Sequence, residues 1–251
     1  MKTISQDEIY QFDQKGYLVK KNFIKKNFVK KILNEINSIK LNKKLNVDKY
    51  YAKSIKQKNK LILVRIENFY NKSKFLTQLI KDISINKILS KLFKNKPTLF
   101  KEKINFKPPG CGPDKLHQDS QAGWNKYTKN YINVLLSVEK STNENGCLYI
   151  DISGNNCTKL VNNKMRPLRI KELKNPNFKK LLLGVGDLVF FNSYTPHFSN
   201  SNKSKKGRSQ IYLTYNKAKD GKFRSRYISD KRKTFPPNNE RSSSKKYSYK
   251  V

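Results

Sequence analysis

From Pro97 onward the sequence breaks into short runs of β-branched and aromatic residues separated by turn-forming clusters, and this pattern limits the fold more than any other feature. TLFKEKINF (98–106), YINVLLSVE (131–139), CLYIDI (147–152), LVFFNSY (188–194) and RSQIYLTYN (208–216) have strand length and strand composition; PPGCGPD, STNENG, SGNN and GVGD punctuate them. The runs are too short for most helices, and Gly, Pro, Asn and Asp between them favour turns. Several short strands at such spacing predict a sandwich or barrel. Ahead of Pro97 the period changes. Residues 5–15 are predicted as a short helix, with Ser5 and Glu8 placed as a capping box and Gly16 as the stop before the extended Tyr17-Leu18-Val19. Phe28, Ile32, Ile36 and Ile39 over residues 27–41, and Leu79, Ile80, Ile83, Ile88, Leu89 and Leu92 over residues 75–93, recur at helical spacing. The expected architecture is mainly β with N-terminal helices. It is read as one domain over residues 1–235, with 1–96 mainly helical and 97–235 the β-rich core, followed by a polar, basic tail (236–251) expected to be mobile.

Composition matters where it bears on partners. The formal net charge of +37 suggests a polyanionic partner, because Lys and Arg that neutralise phosphates release counterions. Yet only eight of the 55 basic residues are Arg, and the lysines run along the whole chain together with abundant Asn and Ile, as a lysine-favouring genome composition would produce. The charge is therefore read mainly as a solvated face that also attracts anionic substrates, and a nucleic-acid partner is not expected. A basic nucleic-acid- or polyanion-binding protein without catalysis remains the alternative. Fourteen Phe, 14 Tyr and the Ile/Leu/Val-rich runs argue for a folded core. Cys111, Cys147 and Cys157 form no Cys-x-x-Cys pair, so neither a disulfide framework nor a zinc ribbon is indicated. No run approaches the roughly 20 apolar residues of a membrane span, and the first residues carry no signal-like apolar stretch. A cytoplasmic location is expected; composition says nothing of oligomeric state.

The whole chain contains two histidines, and both fall in the β-rich half. In His117-Gln118-Asp119, an extended backbone sends residues two apart to the same side, so imidazole and carboxylate can converge on one ion. His197, just after the LVFFNSY run, could close the set from a neighbouring strand. Two His and one carboxylate on one face of an octahedron leave three positions for Fe(II) to take a bidentate 2-oxo acid and O₂, whereas zinc favours a tetrahedral site. Alternation in RSQIYLTYN sets Arg208, Gln210 and Tyr212 on one face, and a planar guanidinium suits the far carboxylate of 2-oxoglutarate. A surface salt bridge is the plain alternative for Arg208, as an ordinary core position is for His197.

KPPGCGPDKLHQD, then NGCL, then GDLVFF, then PHFSNSN and an arginine resemble the phytanoyl-CoA dioxygenase family, with order and spacing kept over residues 100–216. The resemblance implies a double-stranded β-helix, or jelly-roll, core. It implies Fe(II) held by His117, Asp119 and His197, and 2-oxoglutarate held by Arg208 with help from Ser199. Lys103 matches an inward family position that often touches the co-substrate, and Asn133 and Leu135 match barrel-lining positions, Asn133 as a further co-substrate contact. Related halogenases carry a small residue in place of the carboxylate, so Asp119 implies hydroxylation. Ser153-Gly154-Asn155-Asn156 departs from the usual Pro-Gly-Ser-His and puts the local loop in question. HQDSQAGW and the stretch YLTYNKAKDGKFRSRYISDKRKTFPP resemble a bacterial subgroup that includes 2-aminoethylphosphonate dioxygenases. That makes Gln121, Trp124, Arg224 and Arg226 candidates to shape a pocket for a small anionic metabolite, although Trp124 could equally be core and the two arginines solvated.

Overall fold

Alternation gives the strands after Pro97 two faces of different character, and the tertiary structure uses both. A computed structural model describes residues 3–57, 59–164, 166–245 and 247. Strands are numbered in chain order. The larger sheet runs β1 (Tyr17–Lys20), β9 (Leu188–Asn192), β6 (Tyr131–Ser137), β11 (Ser209–Lys217), β4 (Pro97–Phe106), β3 (Leu61–Glu67) and β2 (Asp48–Lys53). The smaller runs β5 (Asp114–His117), β10 (His197–Ser199), β7 (Leu148–Asp151) and β8 (Phe178–Leu181). Every neighbouring pair is antiparallel.

One face of the larger sheet carries Ile66, Ile104, Val134, Leu136, Leu188, Phe190, Ile211 and Leu213 into a single apolar cluster with helical residues such as Ile32, Ile36, Leu79, Ile85 and Leu89. These come from α2 (Lys26–Leu41), α3 (Lys74–Ile80) and α4 (Ile83–Phe93). On the other face, Leu135, Val189, Phe191 and Tyr212 meet Leu148, Ile150 and Leu181 of the smaller sheet. Each fully buried Leu, Ile or Val contributes about 1.5–3 kcal/mol, and a one-residue slip would exchange the two sets, so the register is tightly specified. The result is the jelly-roll sandwich expected from the sequence, with a polar stretch reserved between the sheets.

The N-terminal third differs from expectation in two respects. The first helix, α1 (Gln6–Lys15), has the expected Ser5–Glu8 capping box and ends at Gly16 with φ 71°. However, three strands of this third join the larger sheet: β1 pairs with β9, and the β2–β3 hairpin extends the sheet beyond β4. The apolar period over 75–93 also belongs to two helices, because Asp82 accepts the Ile85 N–H at 2.9 Å and starts a new helix there. A local cap outweighed continuous periodicity.

The tail expected to be mobile from Pro236 is docked in part. Asn238 accepts the Tyr51 N–H at 3.0 Å, Glu240 pairs with Arg232 at 3.2 Å, and Arg241 lies 4.1 Å above the Phe235 ring. Residues 246 and 248–251 lie outside the described residues. Helix α5 (Arg224–Thr234) is tied to the β2–β3–β4 edge by three ion pairs, Arg224–Glu102, Lys231–Glu67 and Arg232–Asp48. Glu102 is 2% exposed, so removing its partner leaves a carboxylate in a dry site. Arg224→Ala should therefore cost about 3 kcal/mol and lower the melting temperature by roughly 6–12 °C in thermal denaturation, whereas exposed Arg226→Ala should stay within about 0.5 kcal/mol. No helix among the described residues is long and apolar enough to cross a membrane.

Candidate metal centre and its cavity

His117 ends β5, Asp119 opens the 3₁₀ turn Asp119–Ala122, and His197 begins β10, which pairs with β5 so that the two histidines are register partners. Gln118 between the first two is extended, as the same-side argument requires. The imidazole centroids lie 4.3 Å apart; His117 Nε2 is 3.9 Å from Asp119 Oδ1, and His197 Nε2 is 3.8 Å from Oδ2. One donor atom from each residue falls within 4.8 Å of the others, a set that could hold one metal ion.

The tautomers follow from the outer contacts. His117 Nδ1 is 2.6 Å from the Lys115 carbonyl, and His197 Nδ1 is 3.0 Å from the Thr195 carbonyl. A carbonyl only accepts, so Nδ1 carries the proton and each Nε2 lone pair faces Asp119, the arrangement metal-ligating histidines need. Burial, reinforced by His197, pulls the His117 pKa down to about 4 against the pull of Asp119, which keeps this ring neutral near pH 7. Burial would raise the Asp119 carboxyl, but Lys103, 4.0 Å away, and the two imidazoles outweigh it and hold the pKa at about 2. Two imidazole Nε2 atoms and one carboxylate oxygen gathered on one side are a donor set fit for Fe(II).

Asn133 takes a different place from the co-substrate contact expected of it. Its Nδ2 donates to Asp119 Oδ2 at 3.0 Å, and its own carbonyl oxygen accepts from Thr214 Oγ1 at 2.6 Å. It orients the carboxylate rather than facing an open space. Asn133→Ala should weaken Fe(II) binding about 10–100-fold in anaerobic titration while leaving the circular-dichroism spectrum unchanged.

A cavity of about 270 Å³ opens on the three donors and is walled by Lys103, Asn105, Arg65, Trp124, Leu148 and Tyr212. A second, of about 210 Å³, reaches Arg208, Lys107 and Cys111, and both are lined by Arg65, Asn105, Pro113, Asp114 and Tyr212. Arg208 is 5% exposed. Its Nε donates to the Asn145 carbonyl at 3.2 Å, one terminal nitrogen to the Gly146 carbonyl and the other to Gln210 Oε1. These contacts use three of the five guanidinium N–H groups and leave one on each terminal nitrogen, the fork a carboxylate needs. Ser199 is hydrogen-bonded to both Asp114 and Lys107, so it belongs to a polar cluster beside that end of the space. Lys103 lies 4.8 Å from the Tyr212 ring centre.

The expected substrate residues separate. Trp124 lines the metal cavity and packs on Phe100 and Tyr131. Gln121 turns away: its amide bridges the Lys164 and Arg166 carbonyls and its oxygen accepts the Gln118 N–H, pinning a loop. Arg224 is spent on Glu102 and Asn68, and Arg226 is exposed beside the Tyr127 ring, so neither lines the cavity. Their helix is drawn to the acidic β2–β3–β4 edge instead. Unexpected participants are Arg65, Asn105 and Gln118. The buried Gln118 amide reaches the carbonyls of Asn156, Lys159 and Tyr194 and fastens the His117–Asp119 segment to the loop that departs from the family pattern. The signal for Arg65 was a lone cation within the apolar run LILVRI; that for Asn105 was the alternation Lys101, Lys103, Asn105.

Comparison with known proteins settles the wider assignment. The family model described as phytanoyl-CoA dioxygenase matches residues 12–210. The chain belongs to the phytanoyl-CoA dioxygenase family. As a member it is an oxidoreductase, an iron(II)- and 2-oxoglutarate-dependent dioxygenase acting on a small molecule. It is 38% identical over 188 residues to a 2-aminoethylphosphonate dioxygenase of an uncultured bacterium (HF130_AEPn_1), covering 74% of this chain and 71% of the relative. It is 35% identical over 137 residues to a methylphosphonate hydroxylase of Gimesia maris, covering 55% and 52%. Among solved structures, EctD from S. alaskensis with 2-oxoglutarate and 5-hydroxyectoine superposes with a TM-score of 0.69 at 15% identity, over 86% of this chain and 77% of the other. The carbocyclase SnoK from nogalamycin biosynthesis gives 0.68 at 15% identity, over 86% and 85%. These two likenesses bear on the jelly-roll fold.

Proposed function

We propose that this chain hydroxylates a small anionic metabolite related to 2-aminoethylphosphonate, converting 2-oxoglutarate and O₂ to succinate and CO₂ as it does so. The observation that carries the reading is the tripod in which two Nε2 lone pairs face the Asp119 carboxylate at 3.8 and 3.9 Å at the floor of a cavity. His117, Asp119 and His197 would hold the iron, and Arg208, with Ser199 and Lys103 near the same space, would hold the co-substrate. Iron loaded with 2-oxoglutarate supplies the oxidising power for a C–H bond.

The chain's own part is geometric and electrostatic. Asn133 and the two backbone carbonyls fix the ligands; Arg208, already oriented by three acceptors, receives the distal carboxylate with little further ordering. Trp124 and Leu148 line the cavity, and the Phe191 ring lies 5.1 Å from that of His197, so apolar surface borders the candidate metal side. A polyanion-binding jelly roll without catalysis would have no use for this tripod. The test is succinate release from purified protein supplied with Fe(II), 2-oxoglutarate, O₂ and either 2-aminoethylphosphonate, methylphosphonate or β-alanine. The reading expects substrate-stimulated succinate with a phosphonate; stimulation by none of them, in protein that binds 2-oxoglutarate, would remove the substrate assignment.

A further inference from the structure

Resting on the dioxygenase reading above, we infer that Arg65, backed by Asn105, is the contact that recognises the tetrahedral phosphonate oxyanion of the substrate and so sets specificity at this site. The residue comes from β3, in the part of the chain before the jelly-roll motifs. Pairing of β3 with β4 sets Arg65 directly beside Asn105 and Glu67 beside Lys103. Alternation therefore puts Arg65 on the same face of the sheet as Lys103, Asn105 and Tyr212, which line the metal cavity. Arg65 itself lines both the metal cavity and the neighbouring one that reaches Arg208, and its side chain is 17% exposed.

Asn105 and Glu67 are among the groups that orient the guanidinium. Nε donates to Asn105 Oδ1 at 3.2 Å, and one terminal nitrogen lies 3.5 Å from Glu67 Oε1. Glu67 is shared with Lys231 of α5, so it does not neutralise Arg65 alone. The remaining charges around the cavity favour an anion. Lys103 and Lys115 add two cations, while Asp119 belongs to the metal tripod and Asp114 is bonded to Lys107 and Ser199. A planar guanidinium suits two parallel N–H···O bonds to a phosphonate. The other arginines first suggested for this task cannot serve it from where they are, Arg224 being bound to Glu102 and Arg226 lying outside the cavity. Arg208 lines only the far cavity, on the side assigned to 2-oxoglutarate.

The test is anaerobic calorimetric titration of 2-aminoethylphosphonate into protein preloaded with Fe(II) and 2-oxoglutarate, in wild type, Arg65→Gln and Arg65→Lys. β-Alanine and inorganic phosphate serve as carboxylate and free-anion comparisons. Glutamine keeps an N–H donor, so the loss of about one of the two charge-assisted bonds predicts a fall in phosphonate affinity of about tenfold to a hundredfold in Arg65→Gln, smaller in Arg65→Lys. The 2-oxoglutarate concentration that half-develops the visible charge-transfer band should move less than about twofold, and wild type should prefer the phosphonate to β-alanine. Phosphate should compete with 2-aminoethylphosphonate in wild type and lose that ability in Arg65→Gln. Unchanged phosphonate affinity in folded Arg65→Gln would overturn the assignment, as would an effect that falls on 2-oxoglutarate instead. A wild type that forms the band yet binds no phosphonate also overturns it. Absence of the band in wild type would instead strike at the dioxygenase reading beneath it.

Discussion

His197→Ala should abolish the weak visible band that Fe(II) and 2-oxoglutarate form together under anaerobic conditions, and with it succinate production, by on the order of 10³-fold or more. The size follows from position. Loss of an outer partner of a metal ligand costs about 10–100-fold, and loss of a ligand itself costs more, because two donors no longer define one face of the coordination sphere. His197 is 5% exposed, and its ring packs 5.1 Å from that of Phe191, so alanine also leaves a small void. His197→Gln, closer in volume, separates the two effects: both variants should lose the band, and only alanine should lose appreciable thermal stability. A folded His197→Ala protein that keeps the band at wild-type iron concentrations would place the metal elsewhere.

Arg208→Ala should keep the tripod and lose the co-substrate. Each hydrogen bond to a charged group contributes about 1.5–3 kcal/mol, so removing a two-pronged contact should raise the half-saturating 2-oxoglutarate concentration by about 100-fold or more. The band should still form at high 2-oxoglutarate, which distinguishes this variant from His197→Ala. Arg208→Lys keeps a positive charge but not the fork, and should fall between. The alanine variant also strips donors from the Asn145 and Gly146 carbonyls and from Gln210, so its melting temperature must be read beside the titration. An unchanged 2-oxoglutarate requirement in a folded variant would make Arg208 a structural residue of the β11 edge.

The candidate metal tripod was legible because two of its members share a local backbone. In His117-Gln118-Asp119 the geometry of an extended segment is enough to bring both donors to one side, and His197 could be joined to them because the chain has no third histidine. The strands were legible for a similar reason: each carries its own alternation, and the turn residues between them act locally. Iron(II) and 2-oxoglutarate dependence followed from donor chemistry and from the family motifs, and family membership agrees with both.

What stayed hidden depended on pairing at a distance. The β2–β3 hairpin is hard to see because LILVRIE lacks clean alternation, and only its placement beside β4 turns Arg65 toward the metal cavity rather than into solvent. Asn133 was visible as a barrel-lining residue, but that it bonds Asp119 requires β6 and the turn after β5 to meet. Arg224 and Arg226 sit close in sequence and look alike there. A buried Glu102 captures the first, whereas the second lies exposed over the Tyr127 ring, a difference set by which side of α5 faces β4.

The sequence by itself thus pointed to a β sandwich or barrel, which its family motifs narrowed to a jelly roll, to three N-terminal helical stretches, to a candidate set of three metal donors and to the class of chemistry, since each rests on short-range periodicity or on residue types and motifs that few other sites would need. Only the tertiary structure decided which cations line the cavity, which residue is bonded to the Asp119 carboxylate and how the C-terminal helix is held. Those outcomes depend on contacts between residues tens of positions apart, where burial of one carboxylate or the pairing of one hairpin selects among lysines and arginines that are locally equivalent.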